Sequence, residues 1–212
     1  DMIETDITTT VGRVNDILND IAALNEQIVK IEAAGDNPND ILDRRDLRVK
    51  ELSGIIDQMN VRFICTTDDP LDDLASHQAI ARDPDWKVTV LPAFRPDKGI
   101  HIELCDQFRS WVDRLEHVSG KSLRTFDSFL AALEERLSYF HDKGARISDH
   151  AMVVPPFREA SSAELNRIFG RVREGGSPDR EEVEKFQTAV IQHLGRAYKR
   201  YGWVMQFHIG AL

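Results

Sequence analysis

The first 57 residues of this 212-residue chain contain no aromatic residue, no histidine and no cysteine. All ten Phe, three Trp and three Tyr residues lie beyond that point, together with the seven histidines and the two cysteines. Aromatic side chains fill protein cores, and histidine and cysteine carry much of the chemistry of active sites. This absence excludes a histidine- or cysteine-based site from residues 1–57 and predicts two unlike parts, residues 1–57 and residues 58–212.

Three further absences narrow the class of protein. Two cysteines, Cys65 and Cys105, are too few for a disulfide framework, and we predict two buried free thiols. The chain has no apolar run of about 18 residues, which a transmembrane helix would need. It also lacks an excess of positive charge, since the formal net charge is −9. Nucleic acid and anionic membrane surfaces repel such a chain, so neither is predicted as a partner.

The first part has the pattern of two helices. Aliphatic side chains recur at helical spacing over residues 3–34, and the first helix is predicted to end near Gly35. A second helix is predicted to begin with Asn37 as N-cap and Pro38 in the first turn, and to end at about Asp57. An aliphatic stripe without aromatics suits the narrow seam of a helical hairpin.

Residues 1–57 resemble a helical segment of the flagellar hook-associated protein that joins the hook to the filament. The most specific part of the resemblance is the sequence NPNDILDRRD. The resemblance implies a structural role, in which long helices pack side by side in a tubular assembly on the extracellular flagellum.

The second part alternates strand and helix patterns. Helical periodicity separates four short runs rich in β-branched and aromatic residues, which are predicted to be buried strands at residues 61–66, 87–94, 145–154 and 203–209. The helices between them are predicted from Pro70 to about Arg82 and at residues 101–118, 126–140, 162–173 and 183–201. This alternation predicts an α/β fold with parallel strands and right-handed crossovers.

Polar side chains gather where the predicted strands end. They are Thr66, Thr67, Asp68, Asp69, Arg95, Asp97, Lys98, Ser148, Asp149, His150 and His208. Sites in parallel α/β folds lie at the carboxyl ends of the strands, so this rim is the predicted functional site. We expect Asp68 and Asp69 to cap the helix that follows, and His150 to be structural.

Residues 58–212 resemble uronate isomerase of the metal-dependent amidohydrolase superfamily. The motifs TTDDP, FRPDK, SDHA and FHIGA carry the resemblance. It implies a partial (β/α)8 barrel of about four parallel strands, preceded here by the helical hairpin. It also implies a cytoplasmic enzyme that acts on a uronic acid sugar and moves a proton between C1 and C2. The reaction would convert D-glucuronate to D-fructuronate or D-galacturonate to D-tagaturonate.

The same resemblance implies roles for three residues. Arg95 corresponds to the arginine that binds the substrate carboxylate, although a salt bridge with Asp97 or Asp69 is the alternative. Asp149 corresponds to a catalytic carboxylate that handles a proton, or else it caps a helix or fixes a loop. His208 corresponds to a catalytic histidine near the metal and is the single candidate metal ligand, although a lone histidine is commonly a hydrogen-bonded structural group.

The chain departs from the family pattern in its metal ligands. The family binds a divalent metal, zinc, with a His-x-His pair on the first barrel strand and an aspartate on the last. No two histidines here are two residues apart, and the strand pattern stops after the fourth of eight strands. A zinc site needs three or four ligands. We therefore expect weak or no zinc binding and an incomplete, inactive isomerase.

Two other classes of function remain open from the sequence. In one, the chain is a structural protein whose N-terminal helices drive assembly, and open sheet edges would add to self-association. In the other, it is an α/β chain without activity of its own. All three interpretations share a junction between two unrelated stretches near Asp57–Gln58.

Overall fold

The computed structural model describes residues 2–210, so Ala211, the last residue of the FHIGA motif, lies outside the described part. The helices are α1 (Met2–Ala33), α2 (Asn39–Gln58), α3 (Ala75–Arg82), α4 (Asp97–Ile100), α5 (Cys105–Ser119), α6 (Phe126–Asp142), α7 (Ser162–Arg173) and α8 (Arg180–Tyr201). The strands are β1 (Phe63–Cys65), β2 (Thr89–Leu91), β3 (Ile147–Met152) and β4 (Val204–Ile209). These elements fall into two compact units, Asp1–Arg62 and Phe63–Leu212.

The first unit is a hairpin of α1 and α2. Its seam is aliphatic, with Ile17, Leu24 and Ile28 of α1 and Ile55 of α2 buried. Around the seam, charged side chains pair between the two helices, and the Arg48 Nε atom lies 3.0 Å from Asp20 Oδ2. Such exposed pairs add little to stability, so the aliphatic seam holds the hairpin together.

The start of α2 differs from the prediction. Asn37 is not its N-cap, because Pro38 occupies that position and makes no side-chain cap hydrogen bond. The Pro38 carbonyl accepts hydrogen bonds from the backbone N–H groups of Ile41 and Leu42, both at 2.9 Å. The first helical hydrogen bonds therefore begin one residue later than predicted.

The second unit is an α/β structure whose strands run parallel. β1 pairs with β2, and β3 pairs with β4. Phe94 forms parallel bridges to Asp68 on one side and to Ser148 on the other, so the backbone pairings connect both sheets in chain order. The α/β class is confirmed. A closed barrel is not present among residues 2–210.

Aromatic side chains dominate the core of this unit. The rings of one cluster lie edge-on, tilted or stacked with centroids 5.3–6.5 Å apart; its members are Phe108, Phe126, Phe129, Phe169 and Phe186. The Phe94 ring anchors a second cluster and packs against Phe140, Tyr198 and Trp203. Aromatic pairs in these geometries stabilise a core beyond the burial of their area.

Side-chain caps fix where two of the longer helices begin. Thr125 and Ser128 form a capping box at the start of α6, and Asp179 and Glu182 form another at the start of α8. Each box satisfies backbone N–H groups that have no partner within the helix. The helix starts are thereby set by the local sequence and not by packing alone.

The outer strands are less buried than predicted. Phe63 of β1 has 68% of its surface exposed, and Val204, Phe207 and Ile209 of β4 are exposed as well. β1 and β4 lie at the two ends of the strand order in the described residues, so each has one strand neighbour. The prediction of buried free thiols is also wrong, since Cys65 is exposed and Cys105 partly exposed, although both are free.

The helix predicted from Pro70 begins later, at Ala75. Three aspartates fold the preceding segment into turns, because Asp69, Asp72 and Asp73 each accept a hydrogen bond from the backbone N–H two residues further on. Such aspartate turns compete with helix formation. Asp69 is therefore not the N-cap of α3. Within the described residues, no helix is long and apolar enough to cross a membrane.

We expect Phe94→Ala to destabilise the second unit by about 3–5 kcal/mol, because it opens a cavity between three aromatic rings. The side chain of Phe157 is 80% exposed, so Phe157→Ala is the matched control and should change the free energy of unfolding by less than about 0.5 kcal/mol. Urea unfolding followed by tryptophan fluorescence measures both, since all three tryptophans lie in this unit. Equal stability of the two variants would contradict a central packing role for Phe94.

Candidate functional site

Backbone pairing brings the ends of the second and third strand segments together. The Phe94 N–H donates to the Ile147 carbonyl at 3.1 Å, and the Asp149 N–H donates to the Phe94 carbonyl at 3.0 Å. Arg95 and Asp149 therefore lie beside each other on neighbouring strand segments. This register follows from chain order and parallel pairing, and it places a cation beside an anion.

Three side chains predicted for the site meet at this rim. The Arg95 Nη2 atom donates to Asp149 Oδ2 at 2.5 Å. The His208 Nε2 atom lies 3.2 Å from the other oxygen of Asp149, Oδ1. Asp149 pairs with Gln206 across the β3–β4 register, and His208 is two residues beyond Gln206, so Asp149 and His208 share one face of the sheet. The structure thus brings together the three residues, whose roles stay predictions.

Asp97 completes the surroundings of Arg95. Its Oδ2 atom lies 3.6 Å from Arg95 Nε and accepts a hydrogen bond from the backbone N–H of Ala151 at 3.1 Å. Burial raises the pKa of Asp97, while the Ala151 hydrogen bond and the Arg95 charge act in the opposite direction. The sequence placed Asp97 at the rim and named it as a possible salt-bridge partner of Arg95, but it gave no sign that the backbone of β3 also binds Asp97. What pointed to Asp97 in the sequence was its position just after the second predicted strand, two residues from Arg95.

The remaining acidic residues of the rim bind elsewhere. Asp69 accepts a hydrogen bond from the Trp111 indole at 2.9 Å and pairs with Lys98 at 3.0 Å. Asp68 accepts a hydrogen bond of 2.6 Å from the Thr66 hydroxyl, so both aspartates order the turn after β1. Of the two salt bridges proposed as the alternative role of Arg95, the one with Asp97 is present as a longer contact, whereas Asp69 is occupied by other partners.

His150 points to the opposite face of the sheet from Asp149. Its side chain is fully buried, and its ring lies between those of Tyr198, at 5.7 Å, and Phe207, at 5.4 Å. Burial lowers the pKa of His150 to about 4, so the ring is neutral near pH 7. Neither ring nitrogen has a hydrogen-bond partner in the described part of the chain. This placement supports the structural role expected for His150.

The donor atoms at the rim do not by themselves fit a zinc ion. No group of three or more His, Cys, Asp or Glu side chains lies close enough to hold a metal within the part of the chain that the structure describes. His208 Nε2 has one acidic neighbour, Asp149, whose second oxygen is bound by Arg95. A catalytic zinc site needs three protein ligands. The cluster supplies one imidazole and one carboxylate.

The arrangement nevertheless offers two kinds of chemistry. The Arg95 side chain is about one-third exposed (34%), so its guanidinium can bind a carboxylate that arrives from solvent. The Asp149 carboxylate is buried, and its Oδ1 atom lies 3.2 Å from His208 Nε2, which is itself 2.6 Å from Gln206 Nε2. Carboxylates and imidazoles are groups that exchange protons in enzyme sites. An exposed guanidinium beside a carboxylate and an imidazole is an arrangement that could bind a small acidic molecule.

The chain is similar to proteins of one known family. A family model described as glucuronate isomerase matches residues 18–212. The uronate isomerase of Caldanaerobacter subterraneus is 39% identical over 189 residues, which cover 89% of this chain and 39% of the relative. That of Clostridium acetobutylicum is 44% identical over 157 residues, covering 74% of this chain and 33% of the relative. This chain therefore spans between one-third and two-fifths of the length of these relatives.

Two solved structures share the fold. The crystal structure of uronate isomerase from Thermotoga maritima has a TM-score of 0.70 at 24% identity and covers 81% of this chain and 38% of its own. The crystal structure of glucuronate isomerase from Caulobacter crescentus has a TM-score of 0.65 at 28% identity, with 73% and 32% covered.

These matches do not follow the predicted division of the sequence between two families. The family match begins at residue 18 and continues without regard to the boundary near Asp57–Gln58. It therefore takes in the end of α1 and all of α2, which the sequence pattern had assigned to a flagellar hook-associated protein. The flagellar resemblance is not supported. The sequence NPNDILDRRD, on which that resemblance depended, lies within the residues that the isomerase family model matches.

We expect the burial of neutral His150 to make stability fall on acidification. Its pKa in the folded chain, about 4, is below the value of roughly 6.5 for an unfolded chain, so the unfolded state takes up the proton first. The resulting loss of stability develops from about pH 6.5 down to about pH 4 and amounts to at most about 3–4 kcal/mol. Urea unfolding at a series of pH values measures it.

His150→Asn should make this decline shallower. His117 lies exposed on α5, and His117→Asn is the matched control that should leave the decline in place. A wild-type slope that persists unchanged in His150→Asn would show that other groups cause it.

Proposed function

This chain belongs to the glucuronate isomerase family, and on that premise we propose that its second unit serves the aldose–ketose isomerisation of a uronic acid sugar. The reaction converts D-glucuronate to D-fructuronate, or D-galacturonate to D-tagaturonate. The observation that carries the proposal is the cluster of Arg95, Asp149 and His208 at the carboxyl ends of adjacent parallel strands. As the isomerase resemblance implies, we propose a cytoplasmic location.

Arg95 is the proposed binding group for the substrate carboxylate. Its planar guanidinium presents parallel N–H donors that match the two oxygens of a carboxylate. The hydrogen bond of 2.5 Å from Arg95 Nη2 to Asp149 supports this role, since a carboxylate already occupies part of the fork. A uronate that binds here competes with Asp149 for the same donors. The sugar ring or chain would then extend along the rim toward His208.

Asp149 and His208 are the proposed proton-transfer groups. In the isomerisation, a base removes the proton from C2 of the open-chain aldose while the C1 carbonyl oxygen takes up a proton, which gives an enediol. The C2 hydroxyl then loses its proton to become the ketone carbonyl as C1 receives a proton, either the one first removed or one from solvent. Once the uronate has displaced Asp149 from Arg95, the freed carboxylate is available to accept the C2 proton. His208, 3.2 Å from Asp149, is placed to stabilise or exchange the proton that Asp149 accepts.

The zinc ion that the resemblance implies requires ligands beyond this cluster. His208 and Asp149 are two donors, and the chain has no His-x-His pair to add to them. No step is therefore assigned to a metal here. We propose that this chain alone binds zinc weakly and turns over little uronate, so that substrate binding is the more informative measurement.

We expect the chain to bind D-glucuronate more tightly than D-glucose, because glucose lacks the carboxylate that Arg95 would bind. Arg95→Met should weaken glucuronate binding by about tenfold or more, since a charged hydrogen-bonded pair is lost. The control Arg124→Met removes an exposed arginine and should leave binding unchanged. Isothermal titration calorimetry measures all four affinities. Equal affinity of the wild-type chain for the two sugars would contradict the proposed role.

A further inference from the structure

Two carboxylates from different segments approach the Arg95 guanidinium. Asp149 of β3 binds its terminal nitrogen Nη2 at 2.5 Å, and Asp97 lies 3.6 Å from Nε. The two contacts involve different nitrogens of the guanidinium. The Nε atom is buried and has no hydrogen-bond acceptor among the described residues, so the carboxylate of Asp97 acts on it through charge and proximity.

Asp97 is itself held rigidly. Its Oδ2 atom accepts a hydrogen bond from the backbone N–H of Ala151 at 3.1 Å, which connects the start of α4 to β3. Pro96 separates Arg95 from Asp97, and the proline ring restricts the backbone between them. The Asp97 side chain is largely buried, with 17% of its surface exposed. The oxygen that faces Arg95, Oδ2, is the same oxygen that accepts the hydrogen bond from the Ala151 backbone.

We propose that Asp97 is a positioning residue for Arg95, holding the Nε side of the guanidinium so that the terminal nitrogens face an incoming uronate carboxylate. The substrate in this statement rests on the proposed function, whereas the positioning of Arg95 does not. Asp149 cannot serve as the permanent anchor, because it binds the terminal nitrogen that the substrate needs. Asp97 can remain in place throughout.

The physical reason for such a device is the freedom of the arginine side chain. An unrestrained arginine samples many rotamers, and that freedom is lost when a ligand binds. An anchor that orders the guanidinium beforehand removes part of this entropic penalty from the binding step. Asp97 is therefore expected to raise the affinity for the substrate, because it orders the Arg95 side chain before the substrate binds.

The test compares Asp97→Asn with the wild-type chain. Asparagine keeps the shape and an oxygen for the Ala151 N–H but removes the negative charge. Asp106→Asn is the matched control, since the Asp106 side chain is 96% exposed on α5 and pairs with Arg109. Two quantities are measured: the order parameter of the Arg95 Nε–H group by ¹⁵N relaxation in the free chain, and the dissociation constant for D-glucuronate by calorimetry.

We expect Asp97→Asn to lower the Arg95 order parameter and to weaken glucuronate binding by about tenfold, whereas Asp106→Asn changes neither. An Arg95 group that stays equally ordered in Asp97→Asn overturns the positioning role, whatever happens to affinity. An order parameter that falls in a chain whose wild type binds no glucuronate supports the positioning role and contradicts the proposed function instead.

A variant that keeps the charge covers the case in which Asp97→Asn fails to fold. Asp97→Glu retains the carboxylate but moves it by one methylene, so Arg95 should lose part of its order and glucuronate binding should weaken less than tenfold. Thermal unfolding shows which variant is folded. Full Arg95 order in Asp97→Glu would overturn the positioning role.

Discussion

The backbone pairing at Phe94 is the constraint on which the second unit depends. Its N–H and carbonyl groups bond to the third strand segment, while Arg95, the next residue, donates its N–H to the Asp68 carbonyl at 2.9 Å. One short segment thereby connects two strand pairs that are otherwise separate, and its aromatic ring fills the core beneath them. The rim at the strand ends exists because this segment aligns the strands at one level.

Alternation along β3 explains why adjacent residues have opposite environments. Asp149 faces the rim and contacts a cation and an imidazole, whereas His150 faces α8 and lies among aromatic rings. In a strand, successive side chains point to opposite faces. The motif SDHA therefore divides its polar residues between the site and the core, and proximity in sequence is a poor guide to which histidine belongs to the rim.

Much of the second unit could be predicted from the sequence, because its helices are strongly amphipathic and several begin at side-chain caps. The bounds of α7 agree with the prediction, and α6 begins at the predicted residue, Phe126. The start of α3 could not be predicted in this way, since a run of aspartates satisfies backbone N–H groups as well in turns as at a helix start. The exposure of β1 and β4 was missed because an apolar strand pattern does not reveal how many neighbours a strand has.

The site followed a similar division. Parallel strand order predicts which residues meet at the rim, and Arg95, Asp149 and His208 do meet there. Which aspartate pairs with which cation depends on side-chain geometry. The sequence therefore offered Asp97 and Asp69 as alternative partners of Arg95 and could not decide between them. The family to which the hairpin belongs could not be predicted from its aliphatic periodicity, because that pattern predicts a helix and does not identify a family.

The pair formed by Arg95 and Asp149 has one more consequence. In the free chain the guanidinium is already neutralised, so a ligand carboxylate exchanges one ion pair for another and gains only the difference between them. Selectivity at such a site depends on which new hydrogen-bond partner the displaced Asp149 carboxylate gains. If the site binds a uronate as proposed, a sugar whose hydroxyl groups engage the released carboxylate is expected to bind in preference to a simple organic acid, which would leave that charge without a partner.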